Sequence, residues 1–202
     1  MKRLEKRLDK ILEEILEMHN LAKRSAEACL SAASGDEKSK IEVVRIEKET
    51  DVLETEIDFD CTSVIALFQP VAKDLRFVLG MIKISSSYER IADLAQEIGM
   101  YDVSLPEEFF EIQGIILKIF DRLMEFYKGN SENLKEDLIC LDDELDLFYS
   151  DFIEKISEKE CLVREVVDVI LIARHLERIG DLLLKIGQRL IFIEKGRRVW
   201  VK

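Results

Sequence analysis

The amino-acid sequence predicts an all-α protein built as two tandem up-down-up three-helix bundles, with six helices in all. The chain has 202 residues but only two Pro and eight Gly, and such scarce helix breakers are typical of long helices. Apolar residues recur at helical spacing along segments that are separated by short breaks. Residues 76–99 also return without a gap as residues 164–187, with 11 of 24 positions identical, and such a repeat indicates a duplicated unit.

The first bundle is predicted over residues 1–103. Ser34-Gly35-Asp36 ends the first helix and caps the second, because Gly suits a helix C-terminus and Asp suits an N-cap. Gln69-Pro70 ends the second helix, since a residue before proline avoids the α region. The three helices are expected over residues 1–33, about 36–68 and about 71–101.

The second bundle is predicted over residues 104–202. Pro106 and the acidic residues after it favour a helix start, and Gly129 ends that helix before Asn130-Ser131 opens the next. These helices are expected over about 106–128, about 131–157 and about 160–195. Because the connections are short, neighbouring helices run antiparallel. The sequence leaves open the conformation of the basic tail, residues 197–202, and the packing of one bundle on the other.

The net charge of −12 restricts the partners that the chain is expected to bind. Nucleic acid is disfavoured because phosphate binding needs a basic stripe, and direct adhesion to anionic lipid is disfavoured on the same ground. No apolar run approaches the roughly 18 residues that span a bilayer, and no signal-peptide pattern opens the chain. We therefore expect a cytoplasmic protein without direct membrane insertion.

Cysteine and histidine form no recognisable catalytic or metal motif. The Cys residues are widely scattered and are expected to be reduced and mostly buried, and the two His residues are expected to be structural or surface groups. No Ser or Cys lies near a His in a known catalytic motif, and no Gly-rich loop precedes a helix, so we expect no enzyme. The residues concerned are Cys29, Cys61, Cys140, Cys161, His19 and His175.

Acidic pairs four residues apart recur in corresponding helices of the two halves. Such a pair lies on one face of a helix and is destabilising by itself, so its recurrence needs a reason. In an up-down-up bundle the second and third helices are adjacent, so their pairs could face each other and place four carboxylates around one point. The pairs are Glu47 with Asp51 and Glu89 with Asp93 in the first half, and Asp142 with Asp146 and Glu177 with Asp181 in the second.

Four clustered carboxylates need a cation, or their pKa values rise. Oxygen ligands suit hard cations such as Mg²⁺, Ca²⁺, Mn²⁺ or iron, with zinc as a further candidate, and the absence of His from the stripes argues against a ferritin-type di-iron site. The alternative is a solvated acidic face with no metal. Arg90 and Arg178 are expected to pair with neighbouring acids, and Arg76 and Arg164 to form inter-helix salt bridges.

Two stretches carry the sequence signature of a known family. They are Pro-Val-Ala-Lys-Asp-Leu-Arg-Phe-Val with the Glu-Arg-Ile-Ala-Asp that follows, within residues 70–93, and Ala-Arg-His-Leu-Glu-Arg-Ile-Gly-Asp at 173–181. Both stretches resemble the PhoU family of phosphate uptake regulators. The resemblance implies multinuclear metal clusters, iron in some members, held by the eight acids of the four pairs. It also implies a non-enzymatic negative regulator of phosphate uptake and phosphate-responsive signalling.

By the same resemblance, the partners are the ATP-binding subunit of the phosphate ABC transporter and a membrane sensor histidine kinase. The chain would then be cytoplasmic, or peripheral at the inner face of the membrane through these partners, and formation of a homodimer is left open. The second repeat shows Cys161-Leu162-Val163-Arg164 where the family has its Asp-Leu-Arg helix start. The alternatives are therefore a paralogue that regulates another transporter, a carboxylate-cluster metal-storage protein or metalloenzyme, and a structural module without metal.

Overall fold

The structure is a computed structural model that describes residues 2–130, 132–157 and 163–196, without the side chains of 156–157 and 163–165. This described part folds into six α-helices and contains no strand, so the all-α prediction is confirmed. The helices are α1 (Lys2–Ala33), α2 (Glu37–Phe68), α3 (Ala72–Gly99), α4 (Glu108–Tyr127), α5 (Leu134–Ser157) and α6 (Val163–Lys195).

The helix ends follow the predicted caps in the first half and depart from them in the second. The Asp36 side chain accepts a hydrogen bond from the backbone N–H of Ser39 at 3.1 Å, and α2 ends at Gln69 in the left-handed conformation. In contrast, α5 begins at Leu134, three residues later than predicted, after Asn133 with φ +57°. The predicted start of α6, at 160, lies outside the described residues.

Each half packs as the predicted three-helix bundle. The helices α1, α2 and α3 all contact one another, as do α4, α5 and α6. The halves are joined because α3 packs on α6 and α1 packs on α4. The domain boundary at residues 103 and 104 stays a prediction.

One glycine of the repeat fixes how closely the helices of each half approach. A Cβ on Gly99 of α3 would lie 2.9 Å from Val43 Cγ2 of α2 and 3.1 Å from the Cβ of Ala32 in α1. A Cβ on Gly187, at the same repeat position in α6, would collide with Leu138 of α5. Both halves therefore need glycine where the third helix crosses the second.

Helices α3 and α6 run antiparallel along the contact between the halves. Gly80 of α3 lies against Ile193 near the end of α6, and Gly196 lies against the guanidinium of Arg76 near the start of α3. The predicted inter-helix salt bridge of Arg76 is wrong, since the described residues offer it no carboxylate. Its cation instead faces the C-terminal end of α6, where the helix dipole favours positive charge. The Arg164 side chain lies outside the described residues.

An aromatic and polar cluster fills the junction of α1, α3 and α4. His19 Nδ1 and the Tyr88 hydroxyl oxygen are 2.8 Å apart, and the hydroxyl oxygens of Tyr88 and Tyr127 are 3.4 Å apart. The His19 ring also packs edge-on against Phe120. Burial lowers the pKa of His19 to about 4, so this histidine is a neutral structural residue, as predicted.

The described cysteines are free thiols, but their burial differs from one helix to the next. Cys29 and Cys61 are buried, and burial raises the pKa of each thiol to about 12. Cys140 is exposed, because it lies on the side of α5 opposite the core residues Leu138 and Leu145. Cys161 lies outside the described residues. In the described part of the chain, no helix is both long and apolar enough to cross a membrane.

Candidate metal-binding seams

The acidic residues predicted from the repeat lie along the line of contact between two adjacent helices in each half. We call these lines the first and second seams. The first seam comprises Glu47, Asp51 and Glu54 of α2 with Glu89 and Asp93 of α3, and the second comprises Asp142 and Asp146 of α5 with Glu177 and Asp181 of α6.

The two helices of the first seam bring their acids within electrostatic reach of one another. Gln96 of α3 donates a hydrogen bond from Nε2 to Glu47 Oε2 of α2 at 3.4 Å. The negative charge of Asp93 in α3 raises the pKa of Glu47 in α2. The negative charge of Asp51 in α2 likewise raises the pKa of Glu89 in α3. The facing arrangement of these pairs follows from the antiparallel packing of α2 on α3.

Burial, together with crowding of like charge, raises the pKa values of two acids in the first seam. Burial first, and then the charges of Asp93, Glu54 and Asp51, raise the pKa of Glu89 to about 7, while the charge of Arg90 acts in the opposite sense. Burial also raises the pKa of Glu47, with Asp51 and then Asp93 adding to the effect. Raised pKa values are the response expected when acids are buried and clustered without a cation.

One arginine neutralises part of this negative charge. Arg90 is ion-paired with Asp93 on the same helix, and its Nη1 lies 3.7 Å from Glu97 Oε1. The predicted pairing of Arg90 with neighbouring acids is therefore confirmed. Because Arg90 occupies one oxygen of Asp93, a cation that binds Asp93 through that oxygen would have to displace the guanidinium.

The second seam has the same layout with more positive charge around it. Burial raises the pKa of Glu177, Asp181 and then Asp146 add to the effect, and the charges of Arg174 and Arg178 oppose it. Lys185 Nζ of α6 also lies 4.0 Å from Asp181 Oδ2. Arg178 thus acts on Glu177 through its charge, which is weaker than the ion pair formed by Arg90 at the corresponding position.

The side chains extend along each seam and do not converge on one point. Among the described residues, no group of three or more Asp, Glu, His or Cys side chains is arranged to hold one ion. The sequence expectation of four carboxylates around a single point is therefore not the geometry seen here, and metal binding by the eight predicted acids stays a prediction. Glu54 joins the first seam in addition, and its spacing of seven from Glu47 is the sequence signal for it.

The chemistry of the first seam nevertheless fits a hard cation. Its donors are carboxylate oxygens on two helices, which are the ligands that Mg²⁺, Mn²⁺, Ca²⁺ and iron accept. Burial is the largest cause of the raised pKa of Glu89, and the charges of Asp93, Glu54 and Asp51 add to it, so these carboxylates also repel one another. A bound cation would remove that repulsion, so the residues present are compatible with the group that was predicted.

Two tandem three-helix bundles with facing carboxylates define a class of duplicated helical proteins. Residues 15–101 and 110–190 each match the family model described as the PhoU domain. The sequence is 49% identical over the full length of both chains to a protein of Archaeoglobus fulgidus named phosphate-specific transport system accessory protein PhoU homolog. The chain therefore belongs to the PhoU family.

More distant relatives and solved structures agree with this assignment. A Thermotoga maritima protein with the name PhoU homolog 1 is 28% identical over 74% of this chain and 70% of its own. The crystal structure of PhoU from Streptococcus pneumoniae superposes with a TM-score of 0.83 at 21% identity, covering 98% of this chain and 99% of that one. PhoU from Pseudomonas aeruginosa gives 0.79 at 21% identity, covering 96% and 99%. At these identities the two structures show the fold alone.

Proposed function

We propose that this protein is a non-enzymatic accessory protein of a phosphate transport system and a negative regulator of phosphate uptake. The observation that carries the proposal is the relative from Archaeoglobus fulgidus, which is 49% identical over its whole length and is named as such an accessory protein. The partners that fit this role are the ATP-binding subunit of the transporter and a membrane sensor histidine kinase. The protein would act in the cytoplasm, at the inner face of the membrane.

The seams add a cation requirement to this proposal. In the first seam Glu47, Asp51, Glu89 and Asp93 hold the cation, and in the second Asp142, Asp146, Glu177 and Asp181 do so. When bound, the cation supplies positive charge that cancels the repulsion between facing helices. The acids of α2 and α3 are then held in register, and Glu89 keeps its charge at neutral pH instead of its proton. The surface of each bundle is thereby fixed for a protein partner.

A phosphate uptake assay tests the regulatory role. Deletion of the gene in its native host is expected to raise uptake when phosphate is plentiful, and the unchanged gene restores repression. Uptake that stays repressed in the deletion strain would contradict the proposal. A change in the uptake of a different ion, with phosphate uptake unaltered, would identify a paralogue that serves another transporter.

Affinity capture from native membranes tests the partners. The tagged protein is expected to recover the ATP-binding subunit and the sensor kinase. A Cys140→Ser variant serves as a matched control, since this exposed side chain is outside both seams. Recovery of neither partner would remove the docking part of the proposal and leave the uptake result to stand by itself.

Metal analysis of protein purified without added metal tests the cation. Bound metal is expected in the unaltered chain and is expected to fall in a Glu89→Gln, Asp93→Asn variant. The control is Glu13→Gln with Glu108→Gln, which removes two exposed carboxylates outside the seams. An equal metal content in all three proteins would rule out the first seam as the site.

A further inference from the structure

One end of the molecule carries a surface whose charge is opposite to that of the chain as a whole. It lies where α1 begins, α2 ends, α3 begins and α6 ends. We call it the basic end. Its residues are the apolar tip, Leu67 and Val71, and the exposed basic residues Lys2, Arg3, Lys6 and Lys73.

Contacts between the helices bring these four helix ends together. Lys10 Nζ of α1 lies 2.5 Å from Asp60 Oδ2 of α2, which sets the start of α1 beside the end of α2. Residues 69–71 then lead directly into α3. At the start of α3, Arg76 lies against Gly196, which follows the last residue of α6. The basic end is therefore one continuous part of the surface.

The tip of the basic end is apolar and exposed. Leu67 is 74% exposed and Val71 is 75% exposed, the highest values among the large hydrophobic residues described. They lie within the stretch of residues 61–72, which contains no charged residue. Leu67 lies in the last turn of α2 and Val71 at the N-cap of α3, so the two exposed side chains flank the short connection between these helices. We call this pair the apolar knob. A single exposed apolar residue needs no explanation, but an uncharged turn with two of them indicates a contact surface.

The charge around this tip is positive in an acidic protein. Residues 2–8, 60–79 and 189–196 together hold eight Lys or Arg and four Asp or Glu, although the whole chain has a net charge of −12. Within the described residues, Lys2, Arg3, Lys6 and Lys73 have no ion-pair partner. Exposed charges act over about 8 Å at physiological salt. A partner that binds at this end therefore interacts with the local positive charge and not with the net negative charge of the protein.

We propose that the basic end docks on an anionic phospholipid surface, with Leu67 and Val71 in the headgroup layer and the four basic side chains on the phosphates. An exposed apolar knob at an end that also carries four basic side chains, unpaired within the described residues, matches a surface that is anionic outside and apolar beneath. An acidic groove on a protein is the other candidate, and it fits less well because the knob has only two apolar side chains to bury. The proposal goes beyond the regulatory function and does not depend on it.

Sedimentation with vesicles tests this proposal on the full chain. Vesicles of phosphatidylcholine with phosphatidylglycerol are expected to bind the protein at low salt, and vesicles of phosphatidylcholine alone are not. High salt is expected to release it, because exposed charges are screened. A Leu67→Glu, Val71→Glu variant is expected to bind at least tenfold more weakly. Both positions are exposed, so circular dichroism should show an unchanged fold.

Matched control variants test whether vesicle binding depends on the basic end or only on the net charge of the protein. Ile41→Glu with Leu147→Glu adds the same two charges at apolar residues that are 67% and 65% exposed elsewhere on the surface, and it is expected to bind nearly as well as the unaltered chain. Lys6→Glu with Lys73→Glu is expected to lose binding, whereas Lys38→Glu with Lys118→Glu, which makes the same charge change elsewhere, is expected to lose much less.

Two results would overturn the proposal. One is equal loss of vesicle binding in the altered and control variants. The other is no binding to anionic vesicles together with binding to native membranes that protease treatment of those membranes abolishes, which would assign the basic end to an acidic protein partner. Failure of the uptake or capture experiments above leaves vesicle binding unaffected, so the two proposals fail separately.

Discussion

The two seams have the same backbone layout but different electrostatic surroundings. In the first seam the pKa of Glu89 rises to about 7, with Arg90 as the cation that opposes the rise. In the second the pKa of Glu177 also rises, but Arg174 and Arg178 both oppose the rise. The repeat therefore fixes where the acids lie, and the residues between them set how strongly each seam attracts a cation. On this comparison, the first seam is the stronger candidate site.

A second difference lies at the residue before the first acid of each signature. Tyr88 occupies this position in α3, and Leu176 occupies it in α6. Both are buried, but Tyr88 contacts His19 and Tyr127, whereas Leu176 has no polar group. The first half thus combines its seam with a buried polar cluster that reaches α4, and the second half has an apolar core at the same place.

The largest effect is expected in cation affinity. Replacing Glu89→Gln and Asp93→Asn removes two ligands from the more acidic seam, so affinity for Mn²⁺ at the tighter site should fall on the order of a thousandfold, about 4 kcal/mol. Glu177→Gln with Asp181→Asn should change the weaker site alone, by roughly tenfold. Calorimetric titration of chelator-treated protein measures both. Equal losses of affinity in the two variants would show that the two seams do not differ in cation affinity.

The next effect is a loss of stability in acid that originates at His19. Its folded-state pKa is lowered to about 4 by burial, with Lys23 adding to this and Asp121 opposing it. The unfolded state therefore binds a proton first as the pH falls below about 6.5. The stability that depends on neutral His19 is present above that pH and is lost towards pH 4, a change of about 3 kcal/mol.

Chemical denaturation at pH 7 and at pH 4.5 measures this loss. A His19→Gln variant keeps a polar group in the cluster but cannot titrate, so it should lose less stability over the same pH range. The second half contains His175, which is less buried than His19 but whose pKa is also lowered, chiefly by burial, so a smaller part of the loss is expected to remain in this variant. A variant that loses as much stability as the unaltered chain would assign the acid sensitivity to other groups.

A smaller effect is expected from the tyrosine that distinguishes the two signatures. Tyr88→Phe leaves His19 Nδ1 buried without its 2.8 Å partner, which should cost about 1–2 kcal/mol of unfolding free energy. Tyr127→Phe removes only a 3.4 Å contact and should cost about 0.5 kcal/mol. Thermal or denaturant unfolding at pH 7 checks the order. A larger cost for Tyr127→Phe would mean that Tyr88 is not the centre of the cluster.

The sequence predicts those features that depend on local spacing. Helix periodicity and the cap at Asp36 follow from near neighbours, and the repeat reveals that Glu89 and Glu177 are equivalent. The approach of α2 to α3 also follows, because a short connection makes consecutive helices antiparallel. Gly99 and Gly187 appear in the repeat as identities, and the structure gives the physical reason for them, which is the close helix crossing.

What the sequence does not predict depends on contacts between distant segments. The cluster of His19, Tyr88 and Tyr127 requires α4 to pack on α1, and the order of the bundles along the chain does not determine this. Within the described part of the chain, Arg76 has no carboxylate partner, because the end of α6 lies beside it instead. The net charge of −12 describes the whole chain and gives no sign of the basic end. That surface arises because four helix ends, distant in sequence, lie together in the fold.

A further small effect, and the one most specific to the seams, is a loss of stability as the pH rises in metal-free protein. The folded-state pKa of Glu89 is about 7, above its ordinary value of 4.5, so the folded protein holds this proton more tightly than the unfolded chain. The resulting stabilisation is complete below pH 4.5 and is lost as the pH rises through about 7. Since Glu89 is partly exposed and solvent screens it, the loss should be about 1 kcal/mol.

Glu89→Gln should abolish this loss, because an amide cannot titrate, and Glu177→Gln should have a smaller effect, since Arg174 and Arg178 already stabilise the charged form. The useful measurement is the difference in unfolding free energy between each variant and the unaltered chain from pH 5 to pH 8, with chelator present. The difference cancels the contribution of His19, which has the opposite sign. If both variants changed the pH profile equally, charge crowding would not distinguish the first seam, and the stronger cation site would have to be found by titration alone.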